Sequence, residues 1–104
     1  THGPERAAKA ALYRATSGAD ALYLSIDMDA ADAAVAPGVS APGIGGLSAR
    51  EMIALVRTLA TDPRLVAADI METSPPYDQD GRTAKLAARL LLELILAMGP
   101  HPAA

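Results

Sequence analysis

The sequence reads as an α/β protein built on a parallel sheet, and three observations lead there. Two short apolar runs, residues 21–26 and 65–71, read as strands buried on both faces. Stretches with helical spacing precede, separate and follow these runs. Strands alternating with helices indicate a parallel sheet, and a right-handed crossover puts both strands in the same sheet. Finally, two strands do not make a stable sheet by themselves. A chain of 104 residues with two strands is therefore expected to be a piece of a larger sheet domain.

Residues 4–17 predict the first helix. Pro4 suits a first turn and Gly18 a stop, and Ala7, Ala8, Ala11, Leu12 and Ala15 recur on one face. After the strand at 21–26, residues 27–46 hold Pro37, Pro42 and four glycines with no period, which predicts a long loop. So long a loop in a compact domain is usually functional. The next helix starts at Ser48, with Glu51 three residues on as a capping box. Its expected buried face is Met52, Leu55, Val56 and Leu59, and Pro63 lies beyond its end. Residues 65–71 form the second strand, residues 72–81 a second loop and residues 82–98 the last helix. Gly99 and Pro100 stop that helix, and the tail at 101–104 is expected to fray.

Half the chain, 51%, is apolar, so a packed core is within reach and wholesale disorder is not expected. Phe and Trp are absent, and Tyr13, Tyr23 and Tyr77 are the aromatic residues. An alanine-rich, aliphatic core suits close helix-on-sheet packing. Twelve acids against nine bases leave a net charge of −3 with no basic stripe, which argues against a nucleic-acid partner. Cysteine is absent, so disulfides and thiolate metal sites are excluded, and a cytoplasmic location is expected. The apolar stretch 86–98 is interrupted by Arg89 and Glu93; it is too short and too charged to cross a bilayer, and no membrane partner is expected. The chain starts without Met and almost directly in a helix, so the natural N-terminus is expected to lie upstream.

The candidate chemistry begins with Asp27 and Asp29, which close the first strand. Residues i and i+2 of a strand point the same way, so two carboxylates face one spot at its C-terminal end. Open α/β sheets bind ligands outside that edge. Two like charges held together need a cation to offset them, and this oxygen set suits Mg²⁺ or Mn²⁺. The alternative is a strand running out into a solvated loop. Asp32 extends the acidic cluster, or serves a turn. Glu72 closes the second strand as Asp27 closes the first, within reach of the same crevice, where a carboxylate can hold a cationic nitrogen group; it can also be a solvated loop acid. His2 and His101 lie near the chain ends without a partner at ligand spacing. Ser25 and Ser48 lack a histidine that would make a nucleophile pair. Residues 43–46 precede a helix but lack the lysine of a phosphate loop, and read as a flexible connection. Residues 90–94 read as core or an oligomer contact.

Three segments together resemble one family. Ser25, Asp27 and Asp29 are similar to the S-x-D-x-D signature of the ureohydrolase superfamily of arginases, agmatinases and formimidoylglutamases. Ala36, Pro37 and Gly38, then Pro42 and Gly45, Gly46 and Leu47, resemble the loop that follows it. Asp69, Glu72 and Pro75 with Asp78, Thr83 and Ala84 resemble the D-x-x-E-x-x-P…D…T-A segment. Ala33 after Asp32, the stretch 33–42 and the stretch 80–89 resemble formimidoylglutamases most. The resemblance implies the C-terminal part, residues 1–104, of a single three-layer α/β/α arginase-like domain. It implies two Mn²⁺ ions in the complete enzyme, with Asp27 bridging them, Asp29 ligating one as the catalytic carboxylate, and Glu72 holding the nitrogens of a small amidine or guanidine substrate. The implied reaction converts formimidoylglutamate to glutamate and formamide in histidine degradation. An agmatinase or another guanidino-ureohydrolase is the alternative, and a non-catalytic structural or regulatory module on the same fold is the reading from another class. The family's remaining ligands, a histidine and a D-x-H-x-D segment, have no counterpart in this chain. Alone it is therefore expected to bind metal weakly, to be inactive, and to associate with a second copy or with the missing part of the domain.

Overall fold

The computed structural model describes residues 3–39, 43–78 and 80–99. Helix α1 spans Gly3–Ala15, strand β1 Leu22–Asp27, helix α2 Ala49–Ala60, strand β2 Leu65–Met71 and helix α3 Arg82–Met98. The two strands pair in parallel, with Ser25 opposite Asp69 and Asp27 opposite Met71. Both loops that follow the strands thus emerge at one edge of the sheet, as the alternating pattern predicts.

Helix α2 starts where its capping box places it. The Ser48 hydroxyl accepts from the Glu51 amide at 3.1 Å, and Glu51 Oε1 accepts from the Ser48 amide at 2.9 Å. Two of the helix's orphan donors are thereby satisfied. Met52, Val56 and Ala60 recur every four residues and form its buried stripe. Leu86, Leu90 and Leu94 do the same on α3. These stripes meet Leu22, Leu24 and Ile26 of β1 and Leu65, Ala68 and Ile70 of β2 in one core. Glu93 is buried among them and ties the helices together: Arg57 of α2 donates to both its oxygens at 2.9 Å, and Arg89 donates at 3.0 Å.

Only one face of the sheet is covered, which corrects the expectation of strands buried on both faces. On β1, Tyr23, Ser25 and Asp27 are exposed, alternating with the core residues. The shortest dimension is 19 Å, about the depth of one helix layer on one sheet layer. The described residues therefore supply two of the three expected layers. Helix α1 is also less buried than its alanine face suggests. Ala8 is its one buried residue, because α1 packs on α2 at the margin of the core.

The described residues between Met28 and Leu47 are not structureless. Met28, Ala31, Ala36 and Val39 are buried in the core. Ala31 bridges to Leu47 and Asp32 to Gly43, so the segment folds back on itself. Gly46 is required there: a Cβ would lie 2.8 Å from the backbone of Ala31 and Asp32. No helix among the described residues is long and apolar enough to cross a membrane. His2, Pro42, Pro100 and the tail from His101 lie outside the described residues.

Candidate functional site

Asp27 ends β1, but Asp29 is not a strand residue. Met28–Ala30 form a 3-10 turn, and Asp27 caps it: its Oδ1 accepts from the Asp29 amide at 3.1 Å. The expected strand alternation therefore does not bring the two carboxyls together; the capped turn does. They are hydrogen-bonded to each other, which raises the pKa of Asp29. Desolvation and the charges of Asp27 and Glu72 add to the rise. Asp27, Asp29 and Glu72 thus share one electrostatic neighbourhood at the C-terminal edge of the sheet.

Glu72 follows β2 directly, beside the pair formed by Asp27 and Met71. It is the one non-glycine residue with positive φ among the described residues, at 73°. A left-handed conformation costs a side chain roughly 1–2 kcal/mol. Such strain persists where surrounding structure imposes it, commonly at functional sites. Here β2 holds one side of Glu72, and on the other the Ser74 amide donates to the Gly38 carbonyl.

The donor set can be tested against a metal. Asp27, Asp29 and Glu72 lie at this edge, and among the described residues none of them has a salt bridge to a protein cation. Hard oxygen donors with uncompensated charge fit a divalent cation such as Mg²⁺ or Mn²⁺. The set is incomplete, because no group of three or more His, Asp or Glu among the described residues is placed to hold a metal ion. Asp27 and Asp29 suit part of such a donor set and not the whole of it.

Asp32 does not join them. Its oxygens accept from the amides of Ala34 at 3.0 Å, Gly45 at 2.7 Å and Gly46 at 3.2 Å. These bonds, the Ala34 bond foremost, lower its pKa. Asp32 is the turn residue, and it also fixes residues 45–46, which were expected to be a flexible connection.

Sequence reasoning singled out the segments 36–38 and 78–84 without a role for each residue. They form a lock. The Gly38 amide donates to Thr83 Oγ1 at 2.8 Å, and Asp78 accepts from the amides of Thr83 and Ala84 at 3.0 Å, capping α3 from outside the helix. Partial desolvation pushes the Asp78 carboxyl up, but these amide bonds prevail and hold it low. Gly38 must be glycine, because a Cβ would sit 2.4 Å from that of Asp78. Arg82 adds a bond to the Ala34 carbonyl at 3.0 Å while pairing with Asp80. The loop after β1 is thus fastened to the loop after β2.

The profile of the Arginase family matches residues 1–97. The chain belongs to the arginase family. A formimidoylglutamase of Vibrio vulnificus is 49% identical over 80 residues, covering 76% of this chain and 24% of that protein. A mitochondrial guanidino acid hydrolase of Homo sapiens is 40% identical over 85 residues, covering 82% and 24%. The crystal structure of formimidoylglutamase from Bacillus subtilis superimposes with a TM-score of 0.85 at 32% identity, covering 93% of this chain and 30% of that one. The chain spans about a quarter of the length of these curated relatives. The fold is that of part of an arginase-like α/β domain, and the membership supports hydrolase chemistry as the family's business.

Proposed function

We propose that this arginase-family chain forms part of a metal-dependent hydrolase of linear amidine C–N bonds, with formimidoylglutamate as substrate and glutamate and formamide as products. The observation that carries the proposal is the placement of Asp27, Asp29 and Glu72 at the C-terminal edge of two paired parallel strands. The similarity to formimidoylglutamases supports the choice of substrate.

In this reading Asp27 and Asp29 would hold Mn²⁺ as carboxylate ligands. Bound Mn²⁺ supplies an activated water and offsets the charge that develops at the amidine carbon. The chain's own part is to place the ligands and the substrate. The capped turn holds the two carboxyls facing each other. Glu72 accepts hydrogen bonds from the cationic nitrogens and orients the amidine plane toward them. Its backbone has a positive φ, which a side chain adopts at a cost.

The remaining ligands belong to a part of the domain outside this chain, and the complete enzyme is the active species. The human guanidino acid hydrolase relative supports a second reading, a guanidino substrate at the same site. The test is to assay the complete protein with Mn²⁺ on formimidoylglutamate, agmatine and arginine. Turnover of formimidoylglutamate is expected; turnover of a guanidine instead selects the second reading. Metal-free folding with no turnover of any of them would identify a non-catalytic module and sink the proposal.

A further inference from the structure

The Ser25–Asp69 pair joins the two strands that end at the candidate site. The Ser25 hydroxyl donates to Asp69 Oδ1 at 2.6 Å, the length of a strong bond between a hydroxyl and a carboxylate. The two residues are partners in the ladder, and they stand on the sheet face that the helices leave open. Ser25 lies two residues before Asp27, and Asp69 lies three before Glu72. Residues i and i+2 of a strand are about 6.5–7 Å apart on the same face. Asp69 is thus one strand over from Ser25 and one step below Asp27.

Its surroundings offer the carboxylate little. The flanking pairs on this face are Tyr23 with Ala67 and Asp27 with Met71, none of them a cation. Among the described residues, the Ser25 hydroxyl is the hydrogen-bond donor to Asp69, and its Oδ2 has no partner. Strands disfavour aspartate, yet Asp69 stands within β2, half-buried. The face that carries it ends in Asp27.

We propose that Asp69, held by Ser25, is a positioning residue of the metal site. The Ser25–Asp69 bond locks the strand of Asp27 and Asp29 to the strand of Glu72, and Asp69 Oδ2 accepts a hydrogen bond from the outer side of the metal's ligand shell. This rests on the metal-hydrolase reading above. It predicts that metal affinity depends on two residues that touch no metal, as outer partners of metal ligands commonly do.

The test uses the complete protein as wild type, Ser25→Ala, Ser25→Thr and Asp69→Asn, with Mn²⁺ alone as the probe in an electron-paramagnetic-resonance titration. The metal-free melting temperature is measured alongside, with kcat and KM on whichever substrate the wild type hydrolyses. Ser25→Ala and Asp69→Asn are expected to weaken Mn²⁺ binding about 10–100-fold and to lower kcat more than they change KM. Ser25→Thr keeps the hydroxyl and is expected to restore the affinity. Asp69→Asn keeps the acceptor for Ser25, so its metal-free protein is expected to melt close to wild type. Unchanged affinity and kcat in all variants, with only a lower melting temperature, overturns the proposal: the pair is then a sheet fastener, and the hydrolase reading stands. A wild type that neither binds Mn²⁺ nor hydrolyses an amidine overturns both.

Discussion

Each acid at the sheet edge owes its role to backbone geometry as much as to its own chemistry. Asp32 lies three residues beyond Asp29, yet three amides claim its oxygens. Asp27 gives one oxygen to the turn it caps and shares the neighbourhood of Asp29 and Glu72. Glu72 is set apart by its positive φ. Asn adopts that conformation readily and β-branched residues do not. Glu72→Asn is therefore expected to keep stability within about 1 kcal/mol of wild type while hydrolysis in the complete protein is lost. Glu72→Val is expected to lose both. Thermal melting with parallel turnover assays checks this, and retained turnover in Glu72→Asn would remove Glu72 from the site.

Among the elements, the fastening between loops and helices is where stability is most exposed to single changes. Thr83 is fully buried and takes the Gly38 amide. Thr83→Val keeps the shape but leaves that donor without an acceptor, which costs about 1–3 kcal/mol. Leu90 is fully buried on α3, and Leu90→Ala is expected to cost about 2–5 kcal/mol through lost burial and a cavity. Urea denaturation of the complete protein reads both.

The ion pairs add a pH dependence. Arg57, above all, lowers the pKa of Glu93 from 4.5, and Arg82 lowers that of Asp80 from 3.8 to about 2. A carboxyl whose folded pKa is depressed contributes stability above its unfolded value and loses it as pH falls through the folded one. Stability is therefore expected to decline below pH 4.5, with the Asp80 part persisting down to about 2. The Asp80–Arg82 pair is half exposed, so solvent screening leaves it the smaller part. Glu93→Gln is expected to flatten the upper part of this decline in melting temperature against pH; an unchanged profile would show that the Arg57–Glu93–Arg89 clamp does not contribute.

The molecule taken whole is a helix layer on a sheet with one bare face. Tyr23, Val66 and Met71 on the strands and Leu91, Leu92, Ile95 and Leu96 on α3 are exposed. β1 and β2 have no other strand partner among the described residues. Open strand edges and contiguous apolar surface drive association. By itself the 104-residue chain is therefore expected to self-associate and to bind a hydrophobic dye. In the complete protein the same surface is expected to be covered. Light scattering that finds a monodisperse monomer of this chain would contradict the expectation.

Much of this is legible in the sequence. The alternation of strand and helix determined the fold class, the Ser48–Glu51 box determined the start of α2, and the apolar run 65–71 determined β2 residue for residue. These signals are local: capping, periodicity and strand length depend on neighbours a few residues away. The acids Asp27 and Glu72 were likewise expected at one edge of the sheet, and the parallel strands bring them there. Long-range contacts assigned the rest. A capped turn, not strand pleating, joins Asp27 to Asp29. Amides 13 and 14 residues on, with that of Ala34 close by, take Asp32 out of the cluster, and a partner 44 residues on holds Ser25 to Asp69. Which oxygen finds which donor depends on where distant segments pack, and no spacing along the chain encodes that directly.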